Sequence, residues 1–376
     1  KQESEIEMAP AEPATELAVI DGVRVLAGDE NGSVLLWRGS LGDCPQTLKE
    51  HHTSQVNTVA FSPDRRLALT AASDGKACLW RVSDGEHMAV LEGHTGPLGA
   101  AIFSGDSRLV LTTCLSERVA RVWQVEDGTC LHKLTGHTAY LRSACLSPHS
   151  GRLGLTTSSD CTAKLWLLIR GGCELGMPIT SSLKYSGRIS EVAAGECQLT
   201  LTGHAAAVVD AAFSPDCSQA ITASCDCTAR LWSLEGDGAC MRVFSGHAGA
   251  VTAACFARRG LVVTASVDGS TRQWQTSDGV CVHKCEGSHG KIDSLAVSPD
   301  GRVALTVAGR SWVHGWSLCD GSRLFTLMGH KGPIRHCRIS TDGSLAVTVC
   351  DDAVRLWSLE DGCLVTKLEG RQGPLA

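Results

Sequence analysis

Apolar and polar residues alternate along this chain in short segments, and turn residues separate the segments at regular intervals. Residues 203–232, GHAAAVVDAAFSPDCSQAITASCDCTARLW, show the pattern most clearly. Apolar runs at 208–213 and 219–223 are each followed by a turn, and 228–232 then alternate with period two. A fourth strand is predicted at 240–244, after a Gly-rich turn. The unit therefore predicts a four-stranded antiparallel meander.

Tryptophan marks the repetition of this unit along the chain. The eight phased tryptophans are Trp37, Trp80, Trp123, Trp166, Trp232, Trp274, Trp316 and Trp357, with spacings of 43, 43, 43, 66, 42, 42 and 41 residues. Trp312 falls outside this phase. No segment shows a 3.6-residue apolar period long enough to predict a helix. Because one small sheet cannot bury both of its faces, the sequence predicts an all-β fold in which blades stack around an axis.

A period of about 40–45 residues, with Gly-His at its start and Trp at its end, resembles the WD-repeat (WD40) family. The resemblance covers about residues 15–370. It implies a single closed β-propeller of eight four-stranded antiparallel blades, with seven blades as the alternative.

The remaining segments are assigned from composition and spacing. Residues 1–14 are acidic, contain two prolines and are interpreted as a tail or linker, and residues 15–376 are interpreted as the propeller. The longest Trp spacing indicates an insertion at about residues 168–195, at the rim, between the third and fourth strands of blade four. This insertion is either a flexible loop or a partner-binding element.

The resemblance also implies a hydrogen-bonded chain of His, Thr, Asp and Trp within each regular blade. The matching residues are His52, Thr70, Asp74 and Trp80; His137, Thr156, Asp160 and Trp166; His204, Thr222, Asp226 and Trp232; His247, Thr264, Asp268 and Trp274; and His330, Thr348, Asp351 and Trp357. A buried His and a buried Asp each cost several kcal/mol unless they are partnered. Because the set recurs in five blades, we interpret it as structural and not as a catalytic triad.

Blades one, three and seven depart from this pattern. Blade one lacks Gly-His and carries Ala27 and Asn31 at the threonine and aspartate positions, and blade three carries Glu117 in place of Asp. Blade seven begins with Gly-Ser-His and carries Arg310 at the aspartate position. We therefore expect weakened or missing chains in these three blades. No phased Trp is followed by Asp, so the signature dipeptide of the family is absent throughout.

Composition and charge argue against several classes of function. The 376 residues carry a formal net charge of −6, and they contain no Lys/Arg run, RNP motif or zinc finger, so direct binding of nucleic acid is not expected. No apolar stretch approaches the length of about 18 residues that a membrane span requires. No nucleophile, carboxylate pair or phosphate loop stands outside the repeat. We therefore predict no catalytic residues, no cofactor and no enzymatic activity.

The 19 cysteines do not indicate a disulfide framework, because many of them recur at fixed places in the repeat. Their odd number and the lack of a visible secretory signal predict a reducing, cytoplasmic location, with the nucleus as an alternative. Cys281, His283 and Cys285 alternate onto one face of a strand. They lack C-x-x-C spacing and a fourth ligand, so no metal site is predicted.

These observations predict a non-catalytic scaffold that presents propeller loops to other proteins, or to other domains of the same polypeptide. The propeller itself is expected to be monomeric. The alternative is a sensor or autoinhibitory ligand-binding module of a larger nucleotide-switch protein of the NACHT type. An enzyme built on a propeller is a third, less favoured hypothesis.

The resemblance also implies where a partner binds. In the family, the Gly-His loop and the Asp turn lie at the same end of the ring, so residues at the start of each first strand face that end or the channel mouth. Large polar side chains at these places are the candidates: Gln55, Asn57, Tyr140, Arg142, Lys291, Asp293, Arg335 and His336. Blade seven adds Arg310 and Trp312, residue types that are enriched at interface hot spots. The alternative for Trp312 is that it fills space in an altered blade.

Overall fold

Thirty-two β-strands, paired as eight four-stranded antiparallel sheets, form the protein in the computed structural model. The structure describes residues 14–20, 24–37, 46–48, 52–148, 151–169, 193–258, 260–287, 290–309, 311–340, 342–350 and 353–368, and only the backbone of 14–20, 335 and 336. These ranges contain no helix, and hence none with the length and apolarity to cross a membrane. The eight blades of a β-propeller confirm the predicted all-β fold and exclude the alternative of seven blades.

Each blade consists of four consecutive strands, from an inner strand beside the channel to an outer strand at the rim. Blade one contains β1 (Ala14–Ile20), β2 (Arg24–Asp29), β3 (Val34–Trp37) and β4 (Gln46–Leu48). Blade two contains β5 (Val56–Phe61), β6 (Leu67–Ala72), β7 (Ala77–Arg81) and β8 (His87–Leu91). Blade three contains β9 (Leu98–Phe103), β10 (Leu109–Cys114), β11 (Val119–Gln124) and β12 (Cys130–Thr135). Blade four contains β13 (Leu141–Leu146), β14 (Leu153–Ser158), β15 (Ala163–Leu167) and β16 (Cys197–Leu201).

The second half of the ring repeats this arrangement. Blade five contains β17 (Val208–Phe213), β18 (Gln219–Ser224), β19 (Ala229–Ser233) and β20 (Cys240–Phe244). Blade six contains β21 (Val251–Phe256), β22 (Leu261–Ser266), β23 (Thr271–Gln275) and β24 (Cys281–Cys285). Blade seven contains β25 (Ile292–Val297), β26 (Val303–Ala308), β27 (Trp312–Ser317) and β28 (Arg323–Leu327). Blade eight contains β29 (Ile334–Ile339), β30 (Leu345–Cys350), β31 (Ala353–Ser358) and β32 (Leu364–Leu368).

Apolar clusters between neighbouring blades hold the ring together. Trp80 of blade two packs with Leu26 and Leu36 of blade one, and the phased Trp of each later blade packs on the blade before it in the same way. The cluster that closes the ring joins Trp37 of blade one to Val347 and its neighbours in blade eight. Because every sheet consists of consecutive strands, closure depends on side-chain packing between the first and last blades and not on an exchanged strand.

The insertion of blade four lies between β15 and β16, as the Trp spacing indicated. Leu168, at the start of the predicted insertion, is fully buried, and its N–H donates to the Arg152 carbonyl over 2.7 Å. At the other end, the Gly195 N–H donates to the Leu167 carbonyl over 2.6 Å. Leu168 therefore belongs to the blade core, and the two strands stay joined at the base of the insertion. Residues 170–192 lie outside the described ranges.

The described cysteines are all free thiols, and those on strands contribute to blade cores or rims. We expect the melting temperature to be the same with and without reductant. One structural disulfide typically contributes about 2–4 kcal/mol, which a thermal melt of a domain of this size detects. A disulfide-bonded protein measured in parallel serves as the control. A melting temperature that falls by several degrees in reductant alone would contradict the assignment.

Candidate functional site

We call the end of the ring that carries the Gly-His loops and the turns between second and third strands the upper face. In blades two to seven the two loops contact each other through the backbone. The Ser159 N–H donates to the Tyr140 carbonyl over 2.9 Å, and the Val267 N–H donates to the Ala250 carbonyl over the same distance. Residues that are distant in the repeat thus lie side by side on this face.

In blades two, four, five and six the four predicted residues form one continuous hydrogen-bonded chain. In blade five, His204 Nδ1 lies 2.8 Å from Asp226 Oδ2, and His204 Nε2 lies 2.8 Å from Thr222 Oγ1. Trp232 Nε1 donates to the same hydroxyl over 2.8 Å. The corresponding distances in the other three blades range from 2.7 to 3.1 Å. In blade eight three members are joined over 2.8 and 2.9 Å, and Asp351 lies outside the described residues.

The charges in this chain are fixed by burial and hydrogen bonding. Burial disfavours the ionised form of Asp226, but donors from Thr228, Ala205 and His204 outweigh it and hold the pKa of the carboxyl at about 2. Burial lowers the pKa of His204, although Asp226 opposes this shift. At neutral pH the carboxylate is charged and the imidazole is neutral, with one ring nitrogen as donor and the other as acceptor. Both nitrogens are therefore used inside the blade.

Glu117 completes the chain in blade three, so the expectation that this blade has a weakened chain is wrong. Its Oε2 lies 2.8 Å from His94 Nδ1, while His94 Nε2 lies 2.8 Å from Thr112 Oγ1 and Trp123 Nε1 donates to that hydroxyl over 2.8 Å. Between Thr112 and Glu117 the turn is one residue longer than in blade two, and the longer Glu side chain spans the added distance.

Blade one lacks the hydrogen-bonded chain, and one bond of it is described in blade seven. In blade one the threonine position is taken by Ala27, which is buried and has no hydroxyl, so the chain is missing there as expected. In blade seven Trp316 Nε1 still donates to Thr306 Oγ1 over 2.9 Å. The start of that blade at 288–289 and Arg310 lie outside the described residues.

Some of the predicted partner-binding residues are engaged within the propeller. Asn57 is half-buried and joins two blades, because its amide donates to the Leu98 carbonyl over 2.8 Å and to Ser73 Oγ over 2.9 Å. Lys291 and Asp293 form an ion pair with each other over 2.8 Å. The amide of Asn57 is therefore engaged within the propeller, whereas the ion pair of Lys291 and Asp293 lies at the surface and both residues stay predicted partner contacts.

Other predicted residues face solvent on the upper face. Tyr140 is 53% exposed, and Trp312, the first residue of β27, is 36% exposed. Arg142 is exposed and donates from Nε to Ser159 Oγ over 2.7 Å. Gln55 is half-buried. The structure describes only the backbone of the two candidates on β29, Arg335 and His336.

Apolar side chains extend across the upper face from blade three to blade six. Of these, Tyr140 was predicted as a partner contact, whereas Leu115 and Val267 were not. Leu115 is 50% exposed and Val267 is 43% exposed, on either side of Tyr140 along the ring. Each stands at the turn position where blades two and four carry Ser73 and Ser159. This replacement of serine by an apolar residue is the feature of the sequence from which the exposed apolar side chains could have been predicted. We call the whole set the apolar arc: Pro97, Leu115, Tyr140, Ala207, Cys225, Ala250 and Val267.

Hydrogen bonds between inner strands fasten the wall of the channel. Asp210 Oδ2 accepts the Ala254 N–H over 3.2 Å, and Asp210 Oδ1 accepts the Ser143 hydroxyl over 3.3 Å. Burial raises the pKa of Asp210 to about 6, although these two donors oppose the shift. One carboxylate thus joins blades four, five and six.

Strand β24, which carries Cys281, His283 and Cys285, does not bring the three possible ligand atoms of these residues together. The sulfur of Cys281 lies 3.4 Å from the His283 carbonyl oxygen, and the sulfur of Cys285 lies 3.5 Å from the Gly321 carbonyl oxygen. Within the described ranges, the ligand atoms that come together belong to a different set in blade three.

Replacing Asp226 with alanine leaves His204 without its carboxylate partner. We expect the free energy of unfolding to fall by roughly 2–4 kcal/mol, because a buried polar group becomes unsatisfied. Chemical denaturation of the two proteins measures the difference. The matched control is Asp237→Ala in the exposed outer turn of the same blade, which should change stability by less than about 0.5 kcal/mol. Equal losses in the two variants would contradict the structural role of the chain.

Asp210→Asn tests the half-buried carboxylate of the channel wall. The folded-state pKa of Asp210, about 6, lies above its ordinary value of 3.8, so the unfolded state loses its proton first and stability declines as pH rises from about 4 to 6. Asparagine cannot ionise. The variant should therefore gain stability relative to the parent across this range, by on the order of 1–3 kcal/mol. Parallel unfolding curves at several pH values measure the gain, and a difference independent of pH would refute it.

Comparisons with known proteins agree with this architecture. The family model described as WD domain, G-beta repeat matches residues 42–81, 85–124, 128–166, 195–233, 238–275 and 321–358. The unmatched regions contain the first three strands of blade one and the first three strands of blade seven, and in these two blades the sequence departs from the repeat. No curated protein sequence matches the chain.

A solved structure with the same fold is the computationally designed Ika8 protein. Its TM-score is 0.74 with 23% sequence identity, and the match covers 93% of this chain and 98% of that one. At this identity the likeness concerns the fold alone. WD40 propellers generally act as protein-interaction scaffolds and are generally not enzymes. Because the repeat model matches more than half of its residues, this chain belongs to the WD40 family.

Proposed function

We propose that this protein is a non-catalytic scaffold that binds partner proteins on its upper face through the apolar arc. The observation that carries the proposal is the exposure of Leu115, Tyr140 and Val267 on one side of the same face. They stand in blades three, four and six, and exposed apolar surface on one face of a protein is typical of interaction sites. A rigid ring that presents variable loops is suited to this task.

The geometry of the arc also supports recognition. A Cβ atom at Gly99 would lie 2.6 Å from Leu115 Cδ2, so the absence of a side chain at Gly99 gives Leu115 its place on the face. The exposed guanidinium of Arg142 stands two residues from Tyr140, and Tyr and Arg are both enriched at interface hot spots. Because the turns are fixed by backbone hydrogen bonds, little ordering is required when a partner binds.

The partner that fits this surface has an apolar segment with a carboxylate placed to meet Arg142. It is another protein or another domain of the same polypeptide. The net charge of −6 favours a protein partner over nucleic acid. Free thiols in the described part of the chain support a reducing location, which we propose to be the cytoplasm, and we propose that the propeller itself is a monomer.

The test is a triple substitution, Leu115→Ser, Tyr140→Ala and Val267→Ser. Each new residue already occupies the same position in another blade, as with Ser73, Ser159 and Ala207, so the propeller should keep its melting temperature. Affinity capture with the parent protein identifies partners, and their dissociation constants are then measured with purified components. We expect the triple variant to bind at least tenfold more weakly.

The matched control is Met241→Thr with Val243→Thr, which removes exposed apolar groups from β20 at the rim. It should bind like the parent protein. If the triple variant keeps both its melting temperature and its affinity for every partner, the apolar arc is not the binding site.

A further inference from the structure

Three side chains of different ligand chemistry lie together in blade three. The ligand atoms of His94, Cys114 and Glu117 are all within 4.8 Å of one another. The side chains of His94 and Cys114 are buried, and that of Glu117 is only 17% exposed. Imidazole nitrogen, thiolate sulfur and carboxylate oxygen are the donors that zinc takes in proteins. We propose that this cluster is a binding site for a single divalent transition-metal ion, with zinc as the expected ion.

The cluster exists because blade three departs from the repeat at two places around one histidine. Glu117 replaces the usual aspartate at the end of a turn that is one residue longer. Cys114, paired with Leu98 in the ladder, stands where blades four, five and six carry serine: Ser158, Ser224 and Ser266. Gly96 provides the space, because a Cβ atom there would lie 1.9 Å from Ser116 Oγ and 3.4 Å from Cys114 Sγ.

The protonation states suit metal binding. Burial lowers the pKa of His94, so its imidazole is neutral at pH 7. Burial disfavours ionisation of Glu117, but donors from Thr95 and His94 hold its pKa at about 2, so the carboxylate is charged. On binding, the ion takes the place of the proton between His94 Nδ1 and Glu117, and this proton moves to His94 Nε2. The Thr112 hydroxyl, 2.8 Å from Nε2, then turns its own hydrogen aside and accepts from Nε2–H as it does from Trp123 Nε1. The thiol of Cys114 releases one proton to solvent.

Movements of up to about 1.5 Å bring the three donors to coordination distance, since their atoms lie within 4.8 Å of one another. A tetrahedral zinc ion with bonds of about 2.0–2.3 Å separates its ligand atoms by roughly 3.3–3.6 Å. Glu117 Oε2, now 2.8 Å from His94 Nδ1, has to retreat by about 0.5 Å, while the Cys114 sulfur turns away from Ser116 Oγ, 3.3 Å distant. The proposed site leaves the fourth position to a water molecule, and the Glu117 side chain, 17% exposed, is its solvent-facing ligand.

The full chain is titrated with Co²⁺ and Zn²⁺ after removal of bound metal by chelator. We expect one equivalent of Co²⁺ to produce the near-ultraviolet absorption of a thiolate–cobalt bond, and Zn²⁺ to displace it. The Cys114→Ser variant should lose this absorption and bind Zn²⁺ at least tenfold more weakly. Because serine occupies the corresponding place in blades four, five and six, the variant should remain folded, as a thermal melt will show.

Cys225→Ser is the matched control, since it removes an exposed thiol from the same face and leaves the cluster intact. It should bind metal like the parent protein. Glu117→Gln removes the charged ligand and should weaken Zn²⁺ binding without abolishing the thiolate absorption. The proposal is overturned if the parent protein takes up no Co²⁺ or Zn²⁺. It is equally overturned if Cys114→Ser binds them like the parent, which would assign the uptake to other thiols.

Discussion

The structure depends on the burial of one tryptophan between each pair of neighbouring blades. The apolar body of the indole packs on the preceding blade, while its N–H donates to a threonine hydroxyl of its own sheet, as Trp232 does to Thr222 over 2.8 Å. One side chain thus joins the blade to its neighbour and to its own second strand. Because both requirements recur in blades two to eight, and blade one keeps the packing of Trp37, adjacent blades meet in the same geometry, and repetition of that geometry closes the ring.

The fold could be predicted closely because its determinants are local. The predicted first and fourth strands of blade five, 208–213 and 240–244, have the observed bounds, and the third strand is displaced by one residue, to Ala229–Ser233. Period-two alternation and turn residues fix these elements without reference to distant parts of the chain. The prediction of a weakened hydrogen-bonded chain in blade three was wrong because the determinant there is not a single residue type. Whether Glu117 reaches His94 depends on the length and path of a turn, which a comparison of single residue types does not capture.

The candidate site was less predictable, since it is assembled from turns that lie about 40 residues apart in sequence. The sequence favoured large polar groups, yet the amide of Asn57 donates to the Leu98 backbone inside the protein, while Lys291 and Asp293 form an ion pair with each other at the surface. Leu115 and Val267 attract little attention in the sequence, because a single apolar residue in a turn is unremarked until its neighbours on other blades are known. Exposure and adjacency on one face are properties of the assembled ring.

The same hydrogen-bonded chain that stabilises each blade also shapes the surface proposed for recognition. The carboxylate of Asp226 accepts not only from His204 but also from the Ala205 N–H, over 3.0 Å, and the corresponding bonds in blades four and six are 2.9 and 2.8 Å. These bonds fix the loops that enter the first strands, and those loops carry the upper face. Residues beside these hydrogen-bonded loop positions can therefore differ in chemistry from blade to blade while their backbone positions stay constant. Substitutions at the turns of such a surface can change which partner binds. The stability of the fold is unaffected, because it depends on the buried His-Thr-Asp-Trp hydrogen bonds beneath the turns.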